Sequence, residues 1–312
     1  MEIESWIKQK KELYPAVLTF FESELDLDEK FRAMTKIIDE QEIVKNKKST
    51  KEIFQLLYKI GENHHRTTDL FNRLLRIIKY LKKESLPIND TEIFDIYKRN
   101  KRLLLLLFEH KIIIPDKSIF DNLMESHNSN KQIIYYYFFS EIKDFLEEEK
   151  IKSIENGISQ EFNEKIDVFI SKIKEGENDS PICKMIRQDS IQDFVTYVNA
   201  TNLSLTTTIT ADFYESNSFL IENKPSLIEY AFFYGSIQII KYLLNNNIEI
   251  PHKSWLYAIH SNDSEMIEIL EENIIQIHKN SVIESIKCHH ISITDYIIEK
   301  LNFSQKYEDD RF

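Results

Sequence analysis

Glycine, proline and cysteine are scarce in this 312-residue chain, which contains only 4 Gly, 6 Pro and 2 Cys. With so few residues that favour tight turns, and with Lys, Glu, Ile and Leu abundant, the composition favours long helices joined by short connections. The two cysteines, Cys183 and Cys288, exclude a disulfide framework and fit a reducing compartment.

Positive charge is also lacking, because 52 acidic residues against 40 basic ones give a formal net charge of -12. Nucleic-acid phosphates need a basic surface, so general nucleic-acid binding is not expected. The longest apolar runs, Leu103–Phe108 and Ile133–Phe139, are far shorter than the ~20 residues of a membrane span, and the first residues do not form a secretory signal. The sequence therefore predicts a cytoplasmic protein, with the nucleus as the alternative, that does not contact membranes.

The sequence also lacks the common catalytic motifs. Its four glycines, at positions 61, 157, 176 and 235, cannot form a phosphate-binding loop, and G-x-S-x-G, H-E-x-x-H and C-x-x-C do not occur. Cys288, His289 and His290 are metal-ligand types, but adjacent helical residues point in different directions and cannot converge on one ion. We therefore expect a protein that is not an enzyme and that holds no metal and no cofactor.

What the sequence does contain is a repeat near its end. Ala231, Ala258 and Ser285 occupy equivalent positions 27 residues apart, each followed four residues later by a turn position. With a weaker upstream copy, that turn position holds Asp189, Gly235, Asn262 and His289. Glycine, and after it Asn, Asp and His, are the residues that best tolerate a left-handed backbone. The pattern predicts four pairs of short helices, each pair hinged at one of these residues.

The apolar residues of the repeat share one helical register. Each row of equivalent positions predicts one layer of the core, and the rows are Ile228, Trp255 and Val282; Ile239, Met266 and Ile293; and Leu243, Leu270 and Ile297, with Ile182, Ile186, Phe194 and Tyr197 in the upstream copy. The predicted pairs cover residues 180–203, 226–250, 253–274 and 280–301. An insertion at 204–225, rich in β-branched threonines, is expected to be a protruding loop or a short strand-like segment.

The segment "SLIEYAFFYGSIQIIKYLLNNNIEI" (226–250) resembles the ankyrin repeat in its order of a small polar start, alanine, glycine turn and paired aliphatic residues. It departs from that family in two ways. Ser-Leu-Ile-Glu replaces the Thr-Pro-Leu-His motif, and the period is 27 residues where the family has 33. The resemblance therefore implies ankyrin-like helix pairs whose β-hairpin fingers are shortened or absent.

Longer stretches are similar to an uncharacterised ankyrin-containing family that is expanded in trichomonad protists. They are "GENHHR" (61–66), "NDTEIFDIYKRNKRLLLLLFEHKII" (89–113), "DKSIFDNLM" (116–124) and "IKCHHISITDYIIEK" (286–300). That resemblance covers nearly the whole chain and implies a helical front region followed by ankyrin repeats. It implies no particular activity.

The front region, residues 1–179, is less regular. "EIF" at 52–54 and 92–94 and "SIFD" at 118–121 are each expected to open a helix, which predicts divergent helix pairs that continue the stack. An unrelated helical domain is the alternative. The predicted fold class is thus all-α, an α-solenoid of stacked helix pairs.

A stack of this kind exposes a continuous groove, so the expected function is that of a scaffold or adaptor that binds another protein. Residues just before each turn are expected at the exposed end of the inner helix, which makes Phe233, Tyr234, His260, Ser261, Lys287 and Cys288 the predicted partner contacts. The alternative function is recognition of acidic or phosphorylated ligands by a basic patch. That patch would consist of His64, His65, Arg66, Arg73, Arg76 and Lys79.

The last predicted pair closes near Leu301 and no polar capping repeat follows it. Solenoids normally need such a cap, so self-association through the last pair, or a tail folded back over it, is expected.

Overall fold

The computed structural model describes residues 2–83, 86–126 and 131–309, and every extended regular element in these ranges is a helix. The described part of the chain contains one isolated antiparallel β-bridge, between Thr208 and Ser226. The chain divides into two compact units. The first unit comprises Met1–Gly61 and Thr67–Gly176, and the second comprises Glu62–Arg66 and Glu177–Phe312. An all-α fold is thereby confirmed for the described residues.

The first unit is built from amphipathic helices that bury their apolar residues against one another. The run Leu103–Phe108 is buried throughout, and most of the aromatic run 135–139 is buried. The helices are α1 (Glu2–Glu22), α2 (Leu27–Glu40), α3 (Lys47–Asn63), α4 (Leu70–Leu81), α5 (Asp90–Tyr97), α6 (Lys101–Glu109), α7 (Lys117–Ser126), α8 (Lys131–Tyr137), α9 (Phe139–Ile142), α10 (Glu148–Phe162) and α11 (Ile166–Glu175). The last two residues of α3 belong to the second unit.

Capping side chains set the start of two helices for which the sequence made a prediction. The prediction that residues 52–54 open a helix is wrong, because Asn46 accepts a hydrogen bond from the Ser49 N–H and starts α3 earlier, at Lys47. At α5 the prediction is confirmed: Asn89 and Glu92 cap each other's backbone N–H groups reciprocally.

The second unit consists of paired helices in a regular order. Its elements are α12 (Pro181–Arg187), α13 (Ile191–Thr201), α14 (Ser218–Asn223), α15 (Leu227–Tyr234), α16 (Ile237–Asn245), α17 (Ser254–Ser261), α18 (Ser264–Glu272), α19 (Ser281–Lys287) and α20 (Ile291–Asp309). The first helices of successive pairs, α12, α15, α17 and α19, contact one another in that order, and α13 contacts α16. Helix α20 continues past Leu301, the predicted end of the last pair.

The four predicted turn residues all lie between the two helices of a pair and all have positive φ. The angle is 48° at Asp189, 67° at Gly235, 51° at Asn262 and 57° at His289. This confirms the turn prediction. Asp189 has a second role, since its carboxylate oxygens accept hydrogen bonds from the backbone N–H groups of Gln238 and Ile239, each at 3.0 Å, and thereby cap α16 of the next pair.

The predicted register also describes the core. Most of its members are less than a tenth exposed, and Val282 is one of the half-buried exceptions. The strand-like alternative for the insertion is confirmed in part, because Thr208 forms an antiparallel bridge with Ser226, whereas the protruding-loop alternative is wrong. The insertion contains the short helix α14. Ile209 and Leu220 pack in the core of the second unit, and Tyr214 is buried as well. Burial of these apolar side chains stabilises the position of the insertion. None of the described helices has the length and apolar character that crossing a membrane requires.

Candidate functional site: the helix-end surface of the second unit

The predicted partner contacts lie together at the C-terminal ends of α15, α17 and α19, which we call the helix-end surface. The expectation that they are exposed is wrong for four of the six. Phe233 and Cys288 are 0 % exposed, His260 is 1 % exposed and Ser261 is 2 % exposed. Tyr234 is half-buried and Lys287 is exposed. Burial arises partly because the chain's own residues 62–66 pack on this surface.

His65 makes the closest of these contacts. Its imidazole stacks on the Phe233 ring with centroids 3.9 Å apart and planes 8° from parallel, and the Tyr234 ring meets it edge-on at 5.4 Å. The His65 Nε2 atom lies 3.0 Å from the Phe233 carbonyl oxygen. Because a carbonyl only accepts, Nε2 carries the hydrogen in this contact. The His65 ring thus contacts Phe233 in two ways, by stacking on its ring and through Nε2 on its carbonyl oxygen.

Neighbouring residues extend the contact along the surface. The Asn63 side-chain amide donates to the Lys287 carbonyl at 3.3 Å, and the Asn217 amide donates to the Glu62 carbonyl at 3.5 Å. Around Gly235, the Arg66 guanidinium lies so close that a Cβ added to the glycine would be 3.3 Å from two of its nitrogens. Residues 62–66 therefore contact the ends of α15 and α19 and also the insertion.

The insertion contributes a ring that sequence reasoning missed. Phe219, in α14, packs parallel to Phe233 at 6.0 Å and meets the rings of His260 at 4.1 Å and Tyr257 at 5.0 Å. Phe233 thus has aromatic neighbours both in the insertion and at His65. The contact between residues 65 and 233 spans 168 positions, so no periodicity in the sequence points to it.

Burial keeps the histidines at this surface uncharged. Loss of hydration lowers the pKa of His65 to about 3, of His64 to about 4 and of His290 to about 2, and neighbouring histidines lower each of them further. Both ring nitrogens of His290 are buried and make no hydrogen bond with any described residue. The rings of His64 and His290 lie 4.9 Å apart, which only neutral imidazoles tolerate at low cost.

His260, Glu284 and Cys288 also converge, with ligand-type atoms within 4.8 Å of one another. His260 Nε2 lies 3.0 Å from a Glu284 oxygen, and the Cys288 sulfur lies 3.7 Å from Nε2 and 3.6 Å from Nδ1. A tetrahedral zinc ion on Nε2 would place the sulfur about 3.5 Å from Nε2 but about 5 Å from Nδ1. The arrangement fits a buried hydrogen-bonded pair with a thiol beside the ring.

The pKa values within this trio agree with that description. Burial alone would raise the pKa of Glu284, but hydrogen bonds from His260 and Lys287 lower it, and burial raises the pKa of the Cys288 thiol well above its ordinary value. Within the described residues, Cys288 lies with His260 and Glu284, while His290 lies beside His64.

The residues of the alternative basic patch range from buried to exposed. Arg73 is 6 % exposed, and its Nη1 donates to the carbonyls of Phe20, Phe21 and Ser23 at the end of α1. The expectation that Arg73 belongs to a basic patch open to acidic ligands is wrong, because its guanidinium donates to carbonyls at the end of α1 that have no intrahelical donor.

Among the other patch residues, one arginine is paired with a carboxylate and both histidines are neutral. Arg76 pairs with Asp28 at 2.7 Å and covers the Phe31 ring, while Lys79 and Arg66 are exposed. Histidines 64 and 65 are neutral for the reason given above. The patch residues also divide between the units: Arg73, Arg76 and Lys79 belong to the first, and residues 64–66 to the second.

No protein-family model, curated protein or solved structure matches this chain.

Proposed function

We propose that this protein is a non-enzymatic scaffold or adaptor that binds another polypeptide through the helix-end surface. Its second unit is an ankyrin-like stack of helix pairs without β-hairpin fingers. The 27-residue register, the positive-φ hinges and the contacts between the first helices of successive pairs support this architecture. Both cysteines are buried free thiols, which fits a reducing compartment such as the cytoplasm or nucleus.

The observation that carries the proposal is the placement of residues 62–66. A short polypeptide segment already lies on the helix-end surface, held by ring stacking and by hydrogen bonds to main-chain oxygens. A surface that binds five residues of its own chain in this way has the chemistry to bind a partner's segment.

The test compares two tyrosines of the same unit. Tyr234 lies at the helix-end surface, whereas Tyr242, on α16, packs its ring against Phe194 at 5.9 Å; both are half-buried. Affinity capture from the native cell followed by mass spectrometry should recover a partner with the wild type and with Tyr242→Ala, and lose it with Tyr234→Ala. Equal recovery with both variants would place the partner elsewhere, and the proposal would be abandoned.

A second copy of the chain is a further proposed partner. Helices α19 and α20 expose Ile283, Ile286 and Ile291, each 58 % exposed, together with Ile298 and Leu301. Clustered apolar residues of this kind mark contact surfaces. Sedimentation should show a dimer that Ile283→Lys with Ile291→Lys dissociates. The control Ile274→Lys, at a residue that is 88 % exposed, should leave the dimer intact, and a wild-type monomer at high concentration would refute this part.

A further inference from the structure

Two main-chain oxygens of the helix-end surface occupy equivalent positions of the repeat. Phe233 and Lys287 are two periods apart, since 233 + 27 = 260 and 260 + 27 = 287. Each lies in the last turn of its helix, α15 or α19, where carbonyl oxygens have no intrahelical donor. The Phe233 oxygen faces His65 and the Lys287 oxygen accepts from Asn63. The surface therefore presents a carbonyl acceptor at each of these two equivalent positions.

The segment that satisfies these acceptors has a simple pattern. Asn63 and His65 are two residues apart, and their side-chain N–H groups reach the two oxygens at 3.3 and 3.0 Å. His65 adds a flat ring that fills the slot between Phe233 and the edge of Tyr234. An amide donor followed two residues later by a flat ring with an N–H group is thus the chemistry that this surface complements.

We propose that the helix-end surface recognises partner polypeptides bearing the pattern Asn-x-His, and that residues 62–66 are an internal copy of that ligand which the partner must displace. This inference rests on the proposed function and specifies its ligand. Within the pattern, the asparagine amide donates to the Lys287 carbonyl, and the imidazole donates to the Phe233 carbonyl while stacking on the Phe233 ring. A serine or lysine in place of the imidazole offers no flat ring to stack on Phe233.

Tethering makes the internal copy a strong competitor. A segment joined to its site by a short chain acts at an effective concentration on the order of millimolar. A free peptide of the same sequence therefore does not bind the wild type at micromolar concentration, even if it makes the same contacts. Removing the two donor side chains from the tethered copy unmasks the site.

The experiment uses the full chain carrying Asn63→Ala and His65→Ala, with a fluorescent peptide of residues 60–68, IGENHHRTT. Fluorescence anisotropy should show saturable binding to this variant, at least tenfold tighter than to the wild type. The same peptide with alanine at the positions of Asn63 and His65 should bind at least tenfold more weakly. The matched control protein, Asn199→Ala with His252→Ala, removes the same residue types from exposed positions and should behave as the wild type does.

Three outcomes contradict the inference. They are the absence of saturable binding to a variant whose circular dichroism is unchanged, equal binding of the native and alanine peptides, and equal binding to wild type and variant. Any of these leaves the proposed function standing if partner capture still depends on Tyr234. Loss of that dependence removes the proposed function itself, so the two failures are distinguishable.

Discussion

Replacing Glu215 with glutamine should change how the stability of the second unit depends on pH. Glu215 lies in the insertion, is 2 % exposed, and accepts a hydrogen bond from the Asn217 N–H at 2.8 Å. Its other carboxyl oxygen is buried without a hydrogen-bond partner among the described residues. Burial foremost, with Asp212 adding to it and Arg187 opposing it, raises the pKa of Glu215 from 4.5 to about 7.

The magnitude follows from this shift. Because the folded-state pKa lies above the unfolded one, the folded chain holds the proton more tightly. The resulting stabilisation is complete below about pH 4.5 and is lost as the pH rises through about 7. Between pH 5 and pH 8 the wild type should lose about 2.5 kcal/mol from this carboxyl group, at about 1.36 kcal/mol per pKa unit. Glutamine keeps the shape of the protonated group and does not titrate, so Glu215→Gln should not show this loss.

The buried histidines act in the opposite direction. Their folded-state pKa values lie below 6.5, so their neutral forms stabilise the fold at high pH and this contribution is lost as the pH falls below about 6.5. This opposing effect is common to wild type and variant. Only the difference between the two proteins isolates Glu215.

The assay is urea unfolding at pH 5, 6, 7 and 8, followed by the fluorescence of the buried Trp255 in a Trp6→Phe background. The free energy of unfolding of Glu215→Gln minus that of the wild type should rise by about 2.5 kcal/mol from pH 5 to pH 8. Glu222→Gln makes the same charge change at an exposed position of α14 and is the matched control. A difference that stays constant across this range would show that Glu215 is ionised in the fold, and the reasoning would be refuted.

Three further substitutions test local features by denaturant unfolding. Asn262→Gly should raise the free energy of unfolding by about 0.5–1 kcal/mol, because glycine adopts the positive φ of 51° without a Cβ penalty; destabilisation would contradict this. Asp189→Gly should instead lower it by about 1–2 kcal/mol, since the gain at φ is outweighed by loss of the two caps on Gln238 and Ile239; a gain equal to that of Asn262→Gly would show that the caps contribute nothing. Arg73→Met should destabilise the first unit by about 3 kcal/mol because it leaves two buried carbonyls and one partly buried carbonyl without their donor; a neutral effect would show that these hydrogen bonds contribute nothing to stability.

The hinges and the buried layer of the second unit were predictable because short stretches of sequence determine them. A positive-φ residue type at a fixed spacing identifies a hinge, and the aliphatic rows identify the buried layer, so Gly235 and Leu243 could be placed from the sequence. Arg73 could not, because its helical spacing matches a solvated stripe and only the distant carbonyls of Phe20 and Phe21 make it a buried donor.

The candidate site was predictable in part for the same reason. The register placed the six residues together at the ends of α15, α17 and α19, but their burial depends on contacts with residues far away in the chain. Neither the stacking of His65 on Phe233 nor the approach of Phe219 leaves a periodic signature. For the insertion, the β-branched threonines correctly indicated an extended segment, which pairs at Thr208. The protruding-loop alternative was wrong, because the buried Ile209, Tyr214 and Leu220 follow no repeat.

The acceptors at positions 233 and 287 belong to the main chain, and every residue type supplies one. A substitution at position 233 or 287 therefore keeps the carbonyl oxygen and changes only the side chain beside it. If the helix-end surface binds a partner as proposed, exchange of a single neighbouring ring would change the preferred ligand while the two carbonyl oxygens stayed available to it.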